Sequence, residues 1–115
     1  YYMIKMSITH IVLFEWKSTA SSEQVEEACK RMLALGEKCI HPTSQKPYIK
    51  AFTGGKNNSP EGRSDGLTHG FVVEFESAED RDYYTHRDPA HQAFVQFVGP
   101  LVQGVKVLDY TPGVF

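Results

Sequence analysis

Residues 66–77 read Gly66-Leu67-Thr68-His69-Gly70-Phe71-Val72-Val73-Glu74-Phe75-Glu76-Ser77. The pattern predicts one strand with a helix start behind it. Leu67, His69, Phe71, Val73 and Phe75 alternate onto one face, and Thr68, Gly70, Val72, Glu74 and Glu76 take the other, because successive strand side chains point to opposite sides. The first face is large and apolar except at His69, which marks it as a core face with one exception. Ser77, with Asp80 three residues on, has the form of a helix cap ahead of Ala78 to His86. A histidine set into an apolar strand face needs either a hydrogen-bond partner or a chemical task.

Towards the N-terminus, Ser7 to Lys17 reads as another strand. Ile8, His10, Val12, Phe14 and Trp16 share one face; Thr9, Ile11, Leu13, Glu15 and Lys17 share the other. Both faces are apolar near the middle, so the strand is expected to be central. It carries His10 on an apolar face. Ser21 and Gln24 make a capping box, and Val25, Ala28, Met32 and Leu35 then recur at helical spacing, which predicts a helix over about 22–38. Cys29 and Cys39 are the only cysteines. Ten residues of helix would hold them roughly 15 Å apart at 1.5 Å per residue, too far for a disulfide. That fits a reducing compartment such as the cytoplasm. The two cysteines form no metal motif with spaced histidines. Ile40 to Pro47 reads as a loop holding an exposed His41, and Tyr48 to Thr53 as a short strand. Gly54 to Gly66, rich in Gly, Asn, Ser and Pro, reads as a long flexible loop. Within it Gly54-Gly55-Lys56 lacks the helix context of a phosphate-binding loop and reads as a turn.

Towards the C-terminus, Asp88 suits an N-cap and Pro89 a first helical position. Ala90, Phe94, Phe97, Val98 and Leu101 supply the next buried face. Gly99-Pro100 kinks or ends that helix, and Val102 to Tyr110 forms the last strand. The order β-α-β-β-α-β predicts an α+β, ferredoxin-like domain over residues 6–112, with helices on one sheet face. Tyr1 to Lys5 reads as a cloning remnant or a disordered N-terminus, and Tyr1 to Met6 has no signal-peptide pattern. The other sheet face keeps apolar residues, Val72 among them. It calls for a second copy, two sheets packing face to face as a homodimeric α/β barrel. Of the 115 residues, 41% are apolar and 23% charged, as in an ordinary globular domain. The net charge of −2 comes with no basic block, which argues against nucleic acid as a partner. No apolar run is long enough for a bilayer, which argues against a membrane.

Four segments together resemble the stress-responsive dimeric A/B barrel (Dabb) family: Thr9-His10-Ile11-Val12-Leu13-Phe14, Leu67-Thr68-His69-Gly70-Phe71, Asp88-Pro89-Ala90-His91-Gln92-Ala93-Phe94 and Val107-Leu108-Asp109-Tyr110. The resemblance spans Met6 to Pro112. The Gly54 to Gly66 loop and the run Asp80 to Tyr84 look most like fungal members. It implies a homodimer or a larger assembly. It leaves function open, because the family includes a plant stress protein and a cofactor-free polyketide cyclase, and hydroxynitrile lyase chemistry occurs on the same fold. On the cyclase pattern His69 matches a strand histidine and His91 the second histidine of a His-Pro-Ala-His run, while Arg87 and Asp88 displace His86. Tyr83 matches a cavity tyrosine and His10 a first-strand histidine. A further tyrosine of the cyclase's first helix has no counterpart between Ser21 and Cys39.

The resemblance thus implies His69, His91, Tyr83 and His10 as catalytic candidates, with no cofactor and no metal. Taking the first and third strands as parallel neighbours puts His10 and His69 at the same end of the sheet, with His91 closing over them. A neutral imidazole can take a proton from a carbon acid beside a carbonyl. Tyr83 or Tyr84 can donate to the developing enolate oxygen. Three readings stand together: an A/B barrel protein binding a small apolar or aromatic molecule in a cavity, a polyketide cyclase or lyase, and a structural oligomer in which the histidines are merely hydrogen-bonded and Tyr83 is a packing contact. A three-histidine zinc site lacks a supporting carboxylate. His41 and His86 read as solvated. A cavity on which the histidines converge separates the readings.

Overall fold

The computed structural model describes residues 6–115, so the expectation for Tyr1–Lys5 lies outside the described residues. The elements are β1 (Ile8–Trp16), α1 (Ser22–Lys38), β2 (Ile49–Lys56), β3 (His69–Phe75), α2 (Ala78–His86), α3 (Pro89–Val98) and β4 (Val102–Tyr110), with a 3-10 turn at Gly99–Leu101 ahead of β4. Local chemistry sets the helix starts. The Ser21 hydroxyl accepts from the Gln24 amide while the Gln24 side chain returns to the Ser21 amide. Ser77 accepts from the Asp80 amide. Asp88 accepts from the Ala90 amide, with Pro89 opening α3. Each such cap contributes about 1 kcal/mol.

The sheet order is β2-β3-β1-β4, and every neighbouring pair is antiparallel. The fold is ferredoxin-like α+β. The expected parallel pairing of β1 with β3 is corrected here: Ile8 lies opposite Phe75 and Phe14 opposite His69. The reason is topological. A helical crossover returns β2 in the direction of β1, and the following hairpin reverses the chain, so β3 runs against β1 when it inserts between them. His10, opposite Val73, and His69, opposite Phe14, therefore sit at opposite ends of one sheet face.

That face is the core. Val12, Phe14, Phe71, Val73 and Phe75 from the strands meet Ala28, Met32 and Leu35 from α1, Tyr84 from α2, and Phe94 and Val98 from α3, all buried. Each large apolar side chain so buried contributes about 1.5–3 kcal/mol. A second correction concerns Gly54-Gly55-Lys56, which is no turn. These residues continue β2 opposite Phe71, Gly70 and His69. A Cβ on Gly54 would lie 2.1 Å from the Phe71 ring, so glycine there lets the ring pack across the strand. The far sheet face carries an apolar row, Val72, Ile11 and Leu108, paired across β3, β1 and β4. Leu108 remains 63% exposed. Among the described residues no helix is long and apolar enough to cross a membrane.

Candidate functional site

A cavity of about 510 Å³ lies between the helix-side face of β1 and β4 and the helices α2 and α3. Val12, Phe14, Met32, Phe94 and Val98 make its apolar walls, and His10, Tyr84 and His91 its polar features. Val105 and Val107 share the face of Phe14 and Val12 across the β1–β4 ladder, yet are 48% and 57% exposed. The helices stop short of this edge strand, so the cavity opens along β4.

His91 is held by the start of α3. Its Nδ1 lies 2.8 Å from the Tyr84 carbonyl oxygen. A carbonyl only accepts, so Nδ1 carries the hydrogen and the lone pair is on Nε2. The imidazole stacks on the Tyr84 ring at 3.9 Å between centroids. Burial pushes the pKa of His91 below its ordinary value, against the bond to the Tyr84 carbonyl. The ring is thus a neutral base at physiological pH. Tyr84 is fully buried and its hydroxyl has no partner among the described residues. Burial raises its pKa, so it stays protonated.

His10 is fixed from the other side. Antiparallel pairing puts Asp109 opposite it, and His10 Nδ1 lies 2.6 Å from Asp109 Oδ1. The second carboxylate oxygen accepts from Arg81 Nη1 at 2.9 Å, and Arg81 Nε donates to Asp82 at 2.7 Å. These bonds hold the guanidinium firmly protonated. With Nδ1 turned to the carboxylate, the Nε2 of His10 is its remaining functional atom. Asp109 and Arg81 were not among the site candidates read from sequence, standing only within segments that carry the family resemblance. The signal that finds Asp109 is register: a last strand antiparallel to the first brings it opposite His10.

His69 lies elsewhere. Trp16 Nε1 donates to His69 Nδ1 at 3.0 Å, and Thr68 Oγ1 sits 2.9 Å from the same nitrogen. An indole only donates, so the Nδ1 lone pair is engaged and Nε2 carries the hydrogen. Burial and the Lys56 charge lower the pKa of His69. It is a neutral hydrogen-bond donor. Tyr83 is also outside the cavity, its ring beside Tyr48 and His41 at 5.7 and 6.4 Å. His41 is half-buried rather than solvated, because its ring packs beside Tyr48 and Tyr83, and its Nδ1 accepts from the amides of Thr43 and Ser44. His86 is exposed. The structure thus joins His10 and His91, adds Tyr84, and leaves His69 and Tyr83 outside. With His69 at the far end, the three histidines cannot share one zinc. Among the described residues no group of three His, Cys, Asp or Glu side chains is placed to hold a metal ion.

One buried carboxylate supports this arrangement. Asp88 is 1% exposed and accepts from the Tyr48 hydroxyl at 2.6 Å and the Ala90 amide at 2.9 Å. It anchors the first turn of α3 and so the position of His91. Burial, followed by the nearby Asp88, raises the pKa of the Cys39 thiol and keeps it unreactive.

Fold and site together define a ferredoxin-like α+β protein with a histidine-bearing cavity between sheet and helices. The stress responsive A/B barrel domain (Dabb) matches residues 8–112, and the chain belongs to that family. It is 37% identical over 110 residues to a stress-response A/B barrel domain-containing protein of Arabidopsis thaliana, covering 94% of this chain and 92% of that one. It is 29% identical over 108 residues to olivetolic acid cyclase of Cannabis sativa, covering 93% and 98% of the two chains. The structure of the hydroxynitrile lyase from Passiflora edulis superposes with a TM-score of 0.78 at 25% identity, over 96% of this chain and 97% of that one.

Proposed function

We propose that this protein binds a small apolar or aromatic molecule bearing a carbonyl group in the cavity between β1, β4, α2 and α3. The observation that carries this reading is the pair His91 and His10, each anchored through Nδ1, on the wall of one mostly apolar cavity. Apolar walls bind the body of such a molecule, and the few polar groups orient it.

The free Nε2 of a neutral His91 favours a second reading, cofactor-free acid–base chemistry of the cyclase or lyase kind that two relatives' names describe. His91 Nε2 takes the proton from the carbon next to a carbonyl, and the electron pair moves onto the carbonyl oxygen as an enolate. The Tyr84 ring, stacked on the imidazole, holds it in place. The enolate carbon then bonds to a second carbonyl carbon, and that oxygen receives the proton back from the His91 imidazolium. No oxidant or reductant is consumed. Both readings are tested with one probe, 1-phenylbutane-1,3-dione. Saturable shifts of the His91 and His10 ring resonances establish binding, and faster deuterium exchange at the central carbon establishes the base. His91→Ala should slow that exchange about 100-fold. Binding without exchange removes the enzyme reading. No saturable binding removes both and leaves a structural oligomer.

We also infer a homodimer, formed through the far sheet face. Val72, Ile11 and Leu108 form a continuous apolar row there, and several structural relatives are described as dimeric. Leu108→Asp should halve the mass measured by light scattering. An unchanged mass would place the interface elsewhere. Free Cys29 and Cys39 support a cytoplasmic location.

A further inference from the structure

A second groove, of about 640 Å³, lies at the His69 end between α1 and the ends of β2 and β3. It shares no lining residue with the first cavity. Phe14 stands between them, stacked on Trp16 at 5.2 Å and edge-on to Phe71 at 5.8 Å. The groove walls are apolar: Trp16, Val25, Leu33 and Phe71. Its floor is the backbone of Gly54 and Gly55 with the Phe71 ring, which lies where a Gly54 Cβ would be.

The polar groups at this end are mainly donors. Lys56 lies directly across the β2–β3 ladder from His69, so both side chains leave the same sheet face. Among the described residues Lys56 has no carboxylate within ion-pair distance. His69 Nε2–H completes the pair, since its Nδ1 is held by the indole. The acidic residue on the lining is Glu26 of α1, which is exposed and faces Lys30 at 3.8 Å.

We propose that this groove is a second binding site, for a small aromatic monocarboxylate. The aromatic body lies against Trp16 and Phe71, and the carboxylate accepts from Lys56 and His69 Nε2. A charge-assisted pair of this kind supplies selectivity for the anion over a neutral molecule of the same shape. The site needs neither the first cavity nor its histidines.

Trp16 is the sole tryptophan, so its emission reports on the groove. Titration with 3-phenylpropionate should change that emission saturably, with a Kd of about 1 mM or tighter for a ligand of this size. The uncharged 3-phenylpropanamide should bind about tenfold more weakly. Lys56→Gln, at an exposed position, should bring the carboxylate down to the amide's affinity. The His69 ring resonance should move with the titration and that of His91 should not. Equal binding of acid and amide, full affinity in Lys56→Gln, or no saturable change overturns the proposal. Movement of His91 instead of His69 also overturns it, by placing the ligand in the first cavity.

Discussion

His91 and His69 are both half-buried imidazoles at the rim of one apolar core, yet their ring nitrogens are partnered in opposite senses. His91 gives its Nδ1 hydrogen to a carbonyl and keeps a lone pair on Nε2. His69 receives a hydrogen from an indole on Nδ1 and keeps a donor on Nε2. One end of the sheet thus presents a base and the other a donor beside a lysine. Both rings are neutral because burial disfavours the charged form at each. Their chemistry diverges through what each Nδ1 meets, and a histidine on an apolar strand face carries no mark of this in sequence.

The comparison can be broken most severely at the His69 end. Gly54→Val drives a side chain into the Phe71 ring that floors this region. It should cost about 3 kcal/mol, read as a fall in Tm of about 10 °C for a domain of this length. An unchanged Tm would mean that Phe71 has room to move.

The opposite end is tested by Asp109→Ala. It leaves the buried His10 Nδ1–H and the Nη1–H of Arg81, whose Nε keeps Asp82, without their acceptor, at a cost of about 2 kcal/mol. Denaturant unfolding measures this. A loss within error would show that water replaces the carboxylate at no cost.

Acid sharpens the comparison at both ends at once. Folding lowers the pKa of His91 and of His69 below their ordinary 6.5. The unfolded chain therefore binds more protons once the pH falls below about 6.5. The stability tied to their neutral forms is complete above that pH and declines as the pH drops through their folded pKa values. Tm should decline from pH 7 to pH 5, and His91→Asn should flatten the decline. A slope unaffected by this change would assign it to other groups.

The mildest change is Trp16→Phe, which removes the indole hydrogen from His69 Nδ1 for about 1 kcal/mol. With that lone pair released, the His69 midpoint followed by NMR should rise while that of His91 stays. A rise at both would mean that the two ends are coupled through Phe14.

Much of the fold was legible because local chemistry specifies it. Ser21 and Gln24 announce α1, and Asp88 with Pro89 announces α3, each using only neighbours in sequence. The alternation in residues 67–75 assigned Phe71, Val73 and Phe75 to the core, where all three are buried. Gly54 and Gly55 misled for an equally local reason. Paired glycines are turn-like in isolation, and only the Phe71 ring lying across the strand explains them as β2. The site was half legible. His10 could be picked out as a histidine on an apolar strand face, and His91 through the family resemblance. Tyr84 could not be separated from Tyr83, because a short polar helix gives no clear buried side until the core is built against it.

The sequence by itself determined the element order, the helix caps, the core face of β3 and the apolar far face, because these follow from side-chain periodicity and contacts a few residues apart. Only the tertiary structure decided the strand directions, and with them which histidines meet. Antiparallel packing of β3 against β1 sends His69 to Trp16 and Lys56, while β4 brings Asp109 to His10 and α3 lays His91 on Tyr84. Those contacts join residues 7 to 99 positions apart, and register across the sheet, which no single strand encodes, sets the partner of each ring nitrogen.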